Sequence, residues 1–320
     1  ILWTGDDGLS GIDPSTQPAD STISGQGTNL GASASIFDKA GNKKTASVTG
    51  INIDRTAPVI AGGPTTSPNA AGWYRDQVVV DFTCTDNLSG VASCPTSKLI
   101  TGDGAGQSVT SDPASDTAGN ASAGKTVGGI NIDGTAPSTT ANNLCTFVDS
   151  WCTGSAADVV LTAIDQAGLS GVKEIHYRVN GGFEQVVTGS TTTVSVSLTG
   201  SGAGTVSYWG VDNAGNAETP NTVALKWDNI APTVTHTLSP TPNSNGWNNG
   251  DVTVSFAAKD DDSGSGVATL TAPVTVSAET AGQLVKGSAT DTAGNVGTDS
   301  ATVKLDKTAP TIVGAIASGT

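Results

Sequence analysis

Methionine is absent from these 320 residues, aromatic side chains make up 4% of them, and only two are histidine. No metal motif built on histidine, no Gly-x-Ser-x-Gly elbow and no phosphate-binding loop occurs, so no catalytic residue is assigned and an enzyme is not expected. Cations are scarce too: 14 Lys and Arg stand against 29 acidic residues, for a net charge of −15. General nucleic-acid binding needs a basic face to displace counterions from phosphates, and this balance excludes nucleic acid as a partner. No apolar run approaches the ~20 residues of a membrane span. Glutamate is nearly missing: Glu174, Glu184, Glu218 and Glu279 are the only four, and the other 25 acids are Asp. Asp is the shorter carboxylate, suited to turns and to tight oxygen cages around Ca²⁺.

What is present is repetition. Asp-x-Ala-Gly-Asn occurs at Asp38–Asn42, Asp116–Asn120, Asp212–Asn216 and Asp291–Asn295. A second signature, Asp followed by Thr-Ala-Pro or Ile-Ala-Pro, falls at Asp54–Pro58, Asp133–Pro137, Asp228–Pro232 and Asp306–Pro310, giving periods of 79, 95 and 78 residues. Periods of this length mean repeated small domains. The expected divisions are a partial repeat over 1–57, a repeat over 58–136, a longer one over 137–231, another over 232–309, and the start of a further one over 310–320. Ile1 aligns with Val80 inside a strand, so the chain reads as an excerpt of a longer protein.

Within a repeat, apolar residues alternate with period two, which is the mark of a half-buried strand. Val78, Val80, Phe82 and Cys84 share one face while Asp81 and Thr83 share the other; Val252, Val254, Phe256 and Ala258 repeat the pattern, as do Val159, Leu161 and Ala163. No helical period is sustained. Short strands separated by turn signals fit a small two-sheet sandwich.

The four cysteines form two close pairs, Cys84 with Cys94 and Cys145 with Cys152. Without any Cys-x-x-Cys a zinc site lacks its usual spacing. Two disulfides are the expectation, each worth roughly 2–4 kcal/mol if unstrained and each implying an oxidising, extracellular or cell-surface location.

The run Asp86-x-x-Ser-Gly-Val91, then Asp-x-Ala-Gly-Asn, then Ile-x-Ile-Asp-x-Thr-Ala-Pro resembles the bacterial immunoglobulin-like repeats of giant adhesins and other long secreted proteins. The resemblance covers nearly the whole chain. It implies an all-β fold of tandem immunoglobulin-like β-sandwich domains arranged as an elongated rod. In such a sandwich the turns after the second and the penultimate strands are neighbours facing the preceding domain, and three carboxylates then converge at each junction. Those trios are Asp54, Asp86 and Asp116; Asp133, Asp165 and Asp212; and Asp228, one or more of Asp260 to Asp262, and Asp291. Clustered carboxylates repel unless neutralised, and Ca²⁺ takes oxygen ligands. Structural Ca²⁺ is therefore one reading of the trios, with a β-turn whose Asp caps backbone amides as the other.

Trp73 and Trp247 each follow an Asn-x-x-Gly stretch, and Trp151 falls in a comparable place. Repetition suggests a plug under a loop, and an exposed sugar-stacking platform is the alternative. The function implied is a stalk or adhesin-type segment that projects other domains of the same long chain. A carbohydrate- or ligand-binding accessory module, or a subunit of a homo-oligomeric surface lattice or filament, are the other readings.

Overall fold

The strand patterns of the sequence fold as strands. The computed structural model describes residues 1–315, and those residues are all-β, with one short 3-10 turn at Pro14–Thr16 and no α-helix among them. Contacts divide the chain into two units, one of residues 1–135 with 167–170, the other of residues 136–166 with 171 onward.

In the first unit, Gly27–Phe37 pairs antiparallel with Lys43–Ile53 through the Asp38–Asn42 turn. Val59–Pro64, Val78–Thr85 and Lys98–Ile100 then form one sheet, and Gly104–Thr110 pairs with Thr126–Ile132 in another. Ile60, Val78, Val80, Phe82 and Ile100 from the first sheet bury against Ile130 and Ile132 from the second. The alternation places Asp81 and Thr83 on the exposed face, as their sequence positions require. Ile1 departs from expectation. It lies outside any strand and exchanges one pair of backbone hydrogen bonds with Ser21, a single rung that makes no ladder.

The second unit holds two separate cores. Ser138–Asn143, Ala156–Ile164 and Thr191–Ser197 form a three-stranded sheet whose buried side chains, among them Val159, Leu161 and Val194, cluster with Ile175, Val206, Leu225 and Trp227 of a six-stranded sheet. That larger sheet gains an added hairpin, Thr146–Val148 with Trp151–Thr153. The next core joins Val234, Val252, Val254 and Phe256 to Val285, Ala289, Val303 and Leu305, again contributed by two sheets. Gly287 lies directly under the Phe256 ring, where an added Cβ would collide with it. Both disulfides are formed, Cys84 with Cys94 and Cys145 with Cys152. The second closes the base of the added hairpin, and its Cys152 is fully buried in the core.

Residues 306–315 carry no regular secondary structure. The stretch expected to begin a further repeat, 310–320, therefore shows no strand over its described part, and residues 316–320 lie outside the described residues.

Candidate metal centres

A strand end and two turns build each candidate centre. In the first unit Asp54 follows the strand Lys43–Ile53, Asp86 follows Val78–Thr85, and Asp116 opens the Asp-x-Ala-Gly-Asn turn. Asp116 is buried; its Oδ1 accepts the Asn120 backbone N–H and its Oδ2 the Asn120 side-chain N–H, both at 2.7 Å. Gly119 sits in this turn at φ +93°, a region that a side chain disfavours. Asp86 Oδ1 accepts the N–H groups of Leu88 and Gly90 at 3.1 and 2.8 Å. Asp54 Oδ1 accepts the Thr56 N–H at 3.0 Å, and Oδ2 accepts the Ser89 N–H at 2.9 Å. The Asn120 amide also donates to the Asp54 carbonyl at 3.2 Å. One carboxylate oxygen from each of Asp54, Asp86 and Asp116 lies within 4.8 Å of the other two.

The second unit repeats this construction at its first and last aspartates, while the middle one, Asp260, accepts an N–H on each oxygen, that of Asp261 on Oδ1 at 3.0 Å and that of Gly266 on Oδ2. Asp228 Oδ1 accepts the Ile230 N–H at 3.0 Å, its Oδ2 the Ser265 N–H at 2.7 Å, and its carbonyl the Asn295 side-chain N–H at 3.0 Å. Asp291 holds both nitrogens of Asn295 at 2.8 Å, and Asp260 Oδ2 accepts the Gly266 N–H at 2.6 Å. Asp228, Asp260 and Asp291 again bring one oxygen each within 4.8 Å. Asp228 and Asp291 are buried and Asp260 is partly so. Asp262 stands apart from the trio, exposed and 3.4 Å from Lys259, while Asp261 accepts the N–H of Ser263 at 2.8 Å.

Asp133, Asp165 and Asp212 divide between the units. In the first, Asp133 accepts the N–H groups of Thr135 and Ser170 at 3.1 and 3.0 Å. In the second, Asp165 accepts the Gly171 N–H at 2.6 Å, and Asp212 accepts both nitrogens of Asn216 at 2.8 Å. These aspartates do cap turns. A carboxylate oxygen that accepts one amide still has a second lone pair, so the turn role and a ligand role are compatible.

Like charges gather in the trios without a cation beside them. Among the described residues, none of Asp54, Asp86, Asp116, Asp228, Asp260 and Asp291 forms an ion pair. The Thr56 N–H, helped by Ser89, holds the Asp54 carboxyl below the usual range. Burial pushes the Asp260 carboxyl up, and the charges of Asp228 and Asp291 push the same way against the pull of the Gly266 and Asp261 amides. A raised acid keeps its proton longer in the folded state, so its contribution to stability is present below the unfolded value and lost as pH rises through the folded one. In chelator, thermal melts of the fourth repeat should therefore weaken as pH rises above the ordinary 3.8 through the Asp260 titration. Asp260→Asn should flatten that slope, and an unchanged slope would show that the buried Asp260 carboxyl does not set it.

Sequence reasoning missed a second set of residues beside these centres. Gln26 Oε1 accepts the Arg55 N–H at 3.2 Å and the Thr56 hydroxyl at 3.1 Å. Asp103 does the same for Gly134 and Thr135 at 2.8 and 2.5 Å, and Glu279 for Lys307 and Thr308, both at 2.7 Å. Each side chain clamps the residues that follow a repeat's closing Asp. The Thr308 hydroxyl, with the Lys307 N–H, holds the Glu279 carboxyl below its usual range.

The tryptophans of the loops are half-buried, and Lys226 and Lys304 lie over Trp151 and Trp247 at 4.7 and 5.9 Å from the ring centroids. In the third repeat His176 stacks on Trp209 at 5.3 Å, with Arg178 also over that ring, and Glu174 and Glu184 bond the two His176 nitrogens at 3.2 and 2.7 Å. No protein-family model matches this chain, and no curated protein matches it.

Proposed function

We propose that the chain is a structural segment of a secreted or cell-surface protein, a series of immunoglobulin-like modules that holds other domains of the same long chain away from a cell. Ca²⁺ at the Asp trios stiffens its joints. One observation carries this reading: the closing Asp of one repeat is tied to two turns of the next by the same bonds in both units. Ser89 and Asn120 grip Asp54, and Ser265 and Asn295 grip Asp228. The two disulfides support an oxidising compartment.

In this proposal the cation neutralises three carboxylates that otherwise face one another, and draws the closing strand and both turns onto one ion. Ca²⁺ suits the all-oxygen donor set, with extracellular modules binding at roughly 10⁻⁴ to 10⁻³ M. Hydrogen exchange tests the mechanical part. The amides of Thr56 and Ile230, in the segments after Asp54 and Asp228, should exchange more slowly in Ca²⁺ than in chelator, while core amides such as Val80 and Val254 stay unchanged. Equal exchange at the linker amides in both conditions would remove the stiffening role.

A further inference from the structure

The joint built at Asp54 and Asp228 recurs in this chain as two unjoined halves. The receiving half lies in residues 1–57. Asp7, Ser10 and Gly11 follow one another as Asp86, Ser89 and Gly90 do, and Ile12 bridges Asp38 as Val91 pairs with Asp116. Asp38 holds both nitrogens of Asn42 at 2.8 and 2.7 Å, as Asp116 holds those of Asn120. At the two complete joints the Ser N–H and the Asn amide also grip a closing Asp, Asp54 or Asp228. Ser10 and Asn42 are the counterparts of those gripping residues, and Asn42 is exposed.

A place for an opening strand lies beside them. Trp3 is buried where the second repeat buries Phe82. Ile1 exchanges backbone bonds with Ser21, while the Trp3 N–H donates to Asp20 at 3.4 Å and its carbonyl accepts from Gln17 at 3.0 Å, so both residues use one edge of the segment. Backbone groups alternate between edges along an extended chain, which leaves Leu2, Thr4 and Asp6 facing the other edge. In the second repeat that edge, with Asp81, Thr83 and Thr85, lies against Gly63, Ala61 and Val59. Among the described residues no strand pairs with residues 1–6. A groove of about 350 Å³ opens there, with Trp3, Gly5, Ile12, Ala34, Ile36 and Ala46 in its lining.

The giving half is the segment after Asp306. Thr308–Gly314 repeats the Thr-Ala-Pro-x-Ile-x-Gly of Thr56–Gly62. The Thr308 N–H bonds Asp306 at 3.0 Å as the Thr56 N–H bonds Asp54. The second residue after the proline is buried in each repeat, as Ile60, Thr139 and Val234, whereas Ile312 is 97% exposed. Gly62 fits under a ring: a Cβ there would stand 2.5 Å from Phe82. Gly314 keeps the same allowance. We propose that the segment after Asp306 of one copy of this chain inserts into the groove of a second copy, with Val313 beside Thr4, Ile312 over Gly5 and Gly314 against Trp3. Asp306 then meets Ser10 and Asn42 and completes the joint. In strand addition the main-chain bonds give affinity and alternate side chains give specificity. Each copy gives one segment and takes one, so the contact is heterologous and the assembly runs head to tail. The strand and its hydrogen bonds do not rest on the Ca²⁺ reading.

Sedimentation velocity of the full chain in chelator tests the proposal apart from Ca²⁺. The wild-type mass should grow past that of a dimer as concentration rises over roughly 1 μM to 1 mM. Ile312→Asp and Gly314→Val, both in an exposed segment outside every core, should each move assembly to concentrations about tenfold higher or more. A synthetic peptide, Thr-Ala-Pro-Thr-Ile-Val-Gly-Ala, should break down wild-type assemblies and slow hydrogen exchange at the Thr4 amide of the Ile312→Asp chain. The same peptide with Asp for Ile should do neither. A wild-type chain that stays monomeric throughout, assembly that both substitutions leave unchanged, or a Thr4 amide that the peptide leaves unprotected would overturn the proposal.

Discussion

Leu161→Ala is expected to destabilise the third repeat by about 2–5 kcal/mol, which is the usual cost of emptying a fully buried leucine site. Leu161 is fully buried in the strand Ala156–Ile164, inside a cluster with Val159, Ile175, Val194 and Trp227. Strands pair on both sides of it, Ser138–Asn143 and Thr191–Ser197, so the backbone cannot collapse into the gap without breaking ladders. Against a total of ~5–15 kcal/mol for a small domain, that loss is a large fraction. The Cys145–Cys152 bridge closes a loop with a separation of only 7 residues, too local to hold the two sheets together. The core of the fourth repeat shares no residue with this cluster. Denaturant unfolding should therefore show one transition moved and the others in place, and a uniform shift of the whole curve would contradict separate cores.

Asp291→Ala is expected to cost about 1.5–3 kcal/mol, the range for hydrogen bonds to a charged partner. Asp291 is 2% exposed and holds both nitrogens of Asn295 at 2.8 Å, so its removal takes a buried acceptor from two donors of the half-buried Asn295. The Asn295 side chain also donates to the Asp228 carbonyl, and losing its anchor loosens that contact too. Relief of repulsion from Asp228 and Asp260 offsets part of the loss. Asp38 makes the same pair of bonds to Asn42 in an open turn, at 2.8 and 2.7 Å, where water can replace them. Asp38→Ala should be much the milder change. Equal melting-temperature drops for the two variants would show that burial does not set the value of the motif.

Much of this architecture could be read from residue order. Alternation at Val78, Val80 and Phe82 gave the strand and its buried face, because period two is imposed by the pleat itself. The cysteine pairs were legible because short spacing leaves few alternatives. The grouping of Asp54 with Asp86 and Asp116, and of Asp228 with Asp260 and Asp291, was implied by the resemblance to immunoglobulin-like repeats, whose strand order brings those turns together. The linker clamp was not legible. Gln26, Asp103 and Glu279 are three residue types, standing 28, 30 and 27 residues before the closing Asp, so neither identity nor spacing marks them as one device. Nor could the sequence choose among Asp260, Asp261 and Asp262, since one residue's shift along a turn decides which carboxylate faces inward.

Calorimetric titration of the chelator-treated chain decides whether the Asp trios bind Ca²⁺. Wild-type protein should bind at least two Ca²⁺ ions with dissociation constants of roughly 10⁻³ M or tighter. Asp86→Asn and Asp260→Asn should each remove one site, and the double variant both, while retaining folded circular dichroism spectra. Amide resonances of Ser89 and Ser265, whose N–H groups touch Asp54 and Asp228, should both shift on titration of wild-type protein and neither in the double variant. No binding heat and unmoved Ser89 and Ser265 resonances in wild-type protein would contradict the account, leaving the aspartates as turn caps alone.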